Sequence, residues 1–169
     1  MKTTWDIAGL WVGEYSYHDR GMAAALPKVI PFSLTARIDG SGRFSGFVQD
    51  DPTSGGVPAE ATIVGRVIGD RITFRKRYPT IYVHRRGRTM TVREQIRADR
   101  GLHLSRDVPS WPIDYRGIYD PDLGTVAGLW QIGSGFVLSW AGWCPLWFGV
   151  GDCSGNWSLR RPPDWSPEI

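Results

Sequence analysis

Lys76 is the residue of this sequence whose setting most suggests chemistry. It stands between Phe74 and Tyr78, in a run whose period-2 alternation puts Ile72, Phe74, Lys76 and Tyr78 on one side and Arg75 and Arg77 on the other. An ammonium turned inward among rings needs a carboxylate partner. If desolvated, it titrates low enough to act as a base or a Schiff-base amine. Asp50 is the carboxylate of matching parity, following Phe44, Gly46 and Val48, while Glu14 falls on the outer parity. Tyr15, Tyr17, Tyr115 and Tyr119 take inner positions as well. Lys76, Asp50 and Tyr115 are therefore the candidate catalytic residues, with the pair expected at the barrel floor. The plainer alternative is a Lys–Asp–Tyr network that only satisfies buried polar groups.

The 9 tryptophans are the second unusual feature. Trp140, Trp143 and Trp147 fall with Phe148 in the segment Gly133–Ser154. An aromatic loop of this kind suits a lid over a hydrophobic or cationic small molecule, or else an outer packing surface or homodimer contact. Cys144 and Cys153 lie within the same segment, at a spacing that permits a disulfide and that a reducing compartment would leave as thiols. His18, His84 and His103 are scattered, so no metal is expected. The stretch Arg71–Arg106 holds eleven basic and two acidic residues in a chain of net charge +3. Such a basic face is compatible with anionic partners, but no nucleic-acid motif accompanies it, so nucleic acid is not the expected partner. Gly-rich phosphate loops, a serine nucleophile elbow and a zinc-protease helix are absent.

The elements that would carry these residues are short strands. Leu10–Tyr17, Phe32–Ile38, Phe44–Asp50, Ala61–Val67, Ile72–Tyr78, Ile113–Tyr119, Thr125–Ile132 and Gly155–Arg161 alternate or sit between tight turns such as Asp39-Gly40-Ser41-Gly42 and Gly69-Asp70. Eight hairpin-linked strands predict a closed antiparallel up-and-down barrel, an all-β fold whose interior holds side chains or one small ligand. Glycines on the inner parity (Gly13, Gly46, Gly65, Gly117, Gly128) suit the sharp bends of a small barrel. Two long loops, Pro79–Ser110 and Gly133–Ser154, interrupt the rhythm. The first includes a short helix near 91–100, with Thr91 as cap and Glu94 three residues on. The tail from Pro162 to Pro167 reads as extended.

A chain of 169 residues with 41% hydrophobic and 22% charged residues fits one domain spanning 1–169, and argues against disorder. No apolar run reaches the ~18 residues of a membrane span. The start, Met1-Lys2-Thr3-Thr4-Trp5-Asp6, lacks the layout of a secretory signal, so the expected compartment is the cytoplasm.

Gly9-Leu10-Trp11 opening the first strand, with Arg161 or Arg160 closing the last, resembles the calycin arrangement of lipocalins and avidins. The wider string is similar to small bacterial lipocalin-like proteins. Its matching pieces are Trp11-x-Gly13-x-Tyr15, Phe74-x-Lys76-x-Tyr78, Tyr115-x-Gly117, Gly128-x-Trp130 and Gly155-x-Trp157-x-Leu159-x-Arg161. The resemblance covers the strands, about two-thirds of the chain, and leaves out both long loops. It implies a tryptophan near the barrel floor packed beneath a late arginine, a cation–π closure of that end.

Together these readings lead to an expected function: binding of a small, largely hydrophobic or aromatic molecule inside the barrel, gated by the two long loops and needing no cofactor. The ligand would lie among Trp11, Tyr15, Phe32, Phe44, Phe74, Tyr78, Trp130 and Trp157, with Lys76 and Asp50 as polar anchors. One alternative is a cofactor-independent cyclase or isomerase of specialised metabolism using the same cavity, where a Tyr, Lys or carboxylate polarises a folded substrate. Another is a non-catalytic protein-interaction module using the Trp-rich loop or the arginine face.

Overall fold

The computed structural model of the protein describes residues 5–19, 29–85 and 87–163. The tail beyond 163 and the first four residues lie outside these. Where apolar and polar residues alternate, the chain forms strands with one face inward: Phe32, Leu34 and Ala36 are buried between exposed Pro31, Thr35 and Arg37. Eight strands do this and pair only with their neighbours: β1 (Gly9–Tyr15), β2 (Ile30–Ile38), β3 (Arg43–Asp50), β4 (Ala61–Ile68), β5 (Arg71–Arg77), β8 (Ile113–Asp120), β9 (Thr125–Ile132) and β12 (Cys153–Arg160). The ring runs β1-β2-β3-β4-β5-β8-β9-β12 and closes through antiparallel pairing of β12 with β1, where Val12 faces Arg160. The expected eight-stranded closed barrel is the observed architecture.

Neither long loop is structureless. The first contains the hairpin β6 (Tyr82–Arg85) and β7 (Arg88–Thr91), then helix α1 (Val92–Arg100). The helix begins where the capping box was read: Thr91 Oγ1 accepts from the Glu94 amide at 3.1 Å, and Glu94 accepts from the Thr91 amide at 2.7 Å. The second contains a seven-residue hairpin pair, β10 (Gly135–Ala141) and β11 (Cys144–Val150). Its inner residues Val137, Ala141, Leu146 and Phe148 pack on Val92, Leu104 and Val108, forming a second apolar cluster outside the barrel. This hairpin escapes a period-2 reading because both of its faces are apolar.

The two ends of the barrel differ. At one end the strands are joined by tight turns, and Arg161 seals it. Its guanidinium lies 4.1 Å from the Trp11 ring and donates to the carbonyls of Ala8 (2.6 Å), Leu10 (3.3 Å) and Asp6 (2.9 Å). Above this floor, Phe44, Phe74, Tyr115 and Trp157 fill the barrel waist as mutually edge-on and stacked rings, 4.5–6.1 Å between centroids. A Cβ built on Gly65 would lie 2.5 Å from Phe44 Cζ and 2.5 Å from Phe74 Cβ, so only glycine leaves room for these two rings. All the long connections gather at the other end.

Candidate functional site

Strand register decides where the polar residues meet. Asp50 ends β3 opposite Phe32, and Lys76 lies near the end of β5 opposite Ile113. Both therefore stand at the end carrying the long connections. The pair was expected at the floor; it lies at the mouth instead, because β3 and β5 both run from the sealed end toward the open one. Lys76 Nζ donates to Asp50 Oδ1 at 2.7 Å, and the two residues are 2% and 1% exposed. The other carboxylate oxygen, Oδ2, accepts from the Tyr15 hydroxyl at 3.2 Å and from the Tyr78 hydroxyl. The rings of Tyr78, Tyr15 and Phe32 surround the ammonium at 4.7, 5.6 and 5.8 Å.

Burial sets the electrostatics of this cluster. Desolvation lowers the Lys76 pKa below the usual lysine range, and Asp50 opposes the shift by its charge and hydrogen bond. Desolvation likewise pushes the hydroxyls of Tyr15, Tyr78 and Tyr115 well above the usual tyrosine range, and the negative charge of Asp50 adds to the effect. These three phenols are donors over the whole physiological range.

The cluster forms one wall of a cavity of about 170 Å³ at the barrel mouth. Tyr15 and Lys76 line it from β1 and β5, Ile113 and Tyr115 from β8, and Trp130 and Ile132 from β9. The connections at this end supply the rest: Tyr17 and Val57, and a cap formed by the β5–β8 connection, chiefly Thr80, Tyr82 and Trp111. Hydrogen bonds fix this cap across the opening: Thr80 Oγ1 and the Ile81 amide donate to the Val108 carbonyl at 2.8 and 3.0 Å, and the Tyr78 amide donates to Ser110 Oγ at 3.3 Å. Gly135 lies so close to Trp111 that a Cβ there would come within 2.2 Å of the indole, so the base of β10 seats directly on it.

Of the residues read as ligand contacts, Tyr15, Tyr78 and Trp130 line this cavity, as do Lys76 and Tyr115. Asp50 sits behind it, holding Lys76. Trp11, Phe44, Phe74 and Trp157 lie deeper, as floor and waist, and Phe32 packs beside Tyr15 at 6.0 Å between centroids. None of these five is among the side chains lining the cavity. Trp111, Tyr82 and Thr80 were not singled out by sequence. Trp111 lies between two prolines, Pro109 and Pro112, in a stretch with no periodicity, and the only signal it offered was its place just ahead of β8.

The Trp-rich segment is arranged differently from a lid. Phe136, Leu138, Trp140, Trp143 and Trp147 are exposed, Trp143 to 91%, and none of them lines the cavity. Cys144 and Cys153 are both free. Cys144 stands at the tip of the hairpin, and the seven residues of β11 separate it from the base by about 20 Å at ~3.3 Å per residue, far beyond a disulfide's Cα spacing. The basic stretch is partly neutralised by its own surroundings: Arg75 pairs with Asp114 at 3.0 Å, Arg93 with Asp107 at 3.4 Å, and Arg85 with Asp99. Among the described residues no cluster of His, Cys, Asp and Glu is arranged to hold a metal ion, and no helix is long and apolar enough to cross a membrane.

The chain matches no protein-family model, no curated protein and no solved structure. Its class is thus defined by its own geometry: an eight-stranded, closed, antiparallel up-and-down barrel, sealed at one end by an arginine–tryptophan contact and hollow at the other.

Proposed function

We propose that this protein is a calycin-like barrel that binds a small, largely apolar molecule at its open end. The observation that carries this reading is the cavity of about 170 Å³, walled by aromatic rings and aliphatic side chains and meeting a buried, paired lysine on one side. An apolar cavity of ~150 Å³ accommodates one benzene ring, whereas drug-sized ligands occupy ~300 Å³ or more. The ligand is therefore about the size of a single substituted ring. The Trp11–Arg161 contact supports the calycin resemblance, since it has the form that resemblance implies.

The test is calorimetric titration with single-ring aromatic compounds, on the intact protein and on Ile132→Phe, which places a ring in the cavity. Binding by the intact protein with loss in the filled variant, at unchanged melting temperature, supports the reading. Equal binding by both moves the site elsewhere.

A second reading, a cofactor-free cyclase or isomerase, draws on a different observation: Lys76 has a lowered pKa and lines the same cavity as the Tyr115 hydroxyl. Those two groups would polarise a bound substrate, with Asp50 positioning Lys76. Tyr115→Phe separates the readings. Turnover lost at unchanged affinity favours the enzyme, whereas retention of an unaltered molecule favours the binder.

A further inference from the structure

The hydrogen-bond inventory of the cavity wall is unbalanced in one direction. Asp50 is already heavily engaged, its carboxylate accepting from Lys76, Tyr15 and Tyr78 and so using three of its roughly four lone-pair sites. Lys76 carries three N–H donors and makes a single hydrogen bond, leaving two N–H groups against rings and cavity. The Tyr115 hydroxyl has no hydrogen-bond partner among the described residues; its ring stacks on Phe74 at 4.5 Å and lines the same space. One wall of a largely apolar cavity thus presents donors, and the carboxylate behind it is already held by three donors of the protein. Buried donors without acceptors cost free energy, and a bound molecule that supplies an acceptor recovers it.

The charge of the missing group follows from the pair. Lys76 and Asp50 neutralise each other, so an anionic ligand would leave a net negative charge beside Asp50 in a water-poor site. A hydroxyl ligand would bring a donor of its own to a wall where Lys76 and Tyr115 already present donors. A neutral carbonyl brings only an acceptor, with two lone pairs.

We infer that the ligand class of this cavity is the single-ring carbonyl compound, an aryl ketone or aldehyde, whose oxygen accepts hydrogen bonds from Lys76 Nζ and the Tyr115 hydroxyl. The inference rests on the binding function proposed above and adds to it the chemical group that is recognised.

An isosteric pair of probes tests it. Acetophenone and α-methylstyrene share a ring, a methyl group and a shape, and differ in C=O against C=CH2. Transfer from water alone favours the hydrocarbon. Two donors at the carbonyl reverse the order, and acetophenone then binds about tenfold or more tighter by calorimetry. The carbonyl stretch of the bound ketone shifts to lower frequency, a signature that mere packing does not produce. Tyr115→Phe lowers the preference severalfold. The neutral replacement Lys76→Met with Asp50→Asn lowers it further than Tyr115→Phe does, while the hydrocarbon still binds. Should that double variant fail to fold, the probe comparison on the intact protein and the Tyr115→Phe variant still decide. Equal affinities, or hydrocarbon preference, overturn the carbonyl inference and leave the cavity reading standing. Benzoate binding more tightly than acetophenone overturns the requirement for neutrality. If neither aryl probe binds, the cavity reading falls too.

Discussion

Lys76 and Asp50 meet at 2.7 Å although 26 residues separate them in the chain, and water reaches almost none of either side chain. A buried ion pair is costly to break from one side, because the remaining charge is left uncompensated. Lys76→Met should therefore destabilise the protein by about 3–5 kcal/mol in urea denaturation. Adding Asp50→Asn should recover part of that loss, since the amide still accepts from Tyr15 and Tyr78. A double-mutant cycle with no coupling energy would show that the two groups do not act as a pair.

The buried phenols predict a steep alkaline limit. Their folded pKa values lie above the unfolded value of about 10, so the folded state holds protons that the unfolded chain releases. The stabilising contribution is complete below about pH 10 and is lost as pH climbs above it. Lys76 acts in the opposite sense. Its folded pKa is lowered, so the cost of burying its charge fades as pH rises toward the unfolded lysine value of about 10.4. Guanidinium midpoints should hold or rise slightly up to about pH 10 and then fall, with the tyrosinate absorbance of Tyr15, Tyr78 and Tyr115 appearing only together with unfolding. Titration of all 6 tyrosines in the folded protein would contradict the burial of these three.

Gly65→Ala should be among the worst single-methyl additions. The new Cβ meets Phe44, Phe74 and the Thr73 carbonyl at 2.5 Å, and overpacking of this kind costs roughly 1–3 kcal/mol. Gly133→Ala is the control: a Cβ there has nothing within 4 Å, and the change should stay within about 0.5 kcal/mol. Thermal melts of the two variants side by side provide the check.

Arg161→Ala removes three carbonyl contacts and the cation over Trp11, with an expected loss of about 2 kcal/mol. Because the sealed end is remote from the cavity, affinity for acetophenone should not change. Arg161→Lys should recover less than half of the stability, since an ammonium lacks the planar fork that spans the Ala8 and Asp6 carbonyls.

The barrel was readable from sequence because its strands keep one wet and one dry face, as in Phe32-Ser33-Leu34-Thr35-Ala36-Arg37, and the same parity turned Lys76 and Asp50 inward together. Parity does not say which end of a strand faces which opening; that depends on register, which moved the pair from floor to mouth. The hairpin of Phe136 and Trp147 was hidden because both faces are apolar, so the alternation that marks a strand is missing. Trp111 and Tyr82 reach the cavity from connections whose course is set by tertiary packing on Val92, Leu104 and Val108, not by local pattern. The waist residues Phe44, Phe74 and Trp157 were read as ligand contacts because inward parity alone does not distinguish a ring that fills space from one that borders it.

The pairing of the first strand with the last has a kinetic side. During synthesis the ring stays unfinished until Arg160 has left the ribosome, and until then the growing sheet carries two raw edges able to recruit strands from other chains. Contacts of such long sequence separation are also slow to form, which places refolding on the millisecond-to-second scale of all-β proteins rather than the microseconds of helical bundles. Loss of the C-terminal strand would thus do more than shorten the protein: it would turn a sealed ring into an open, adhesive sheet.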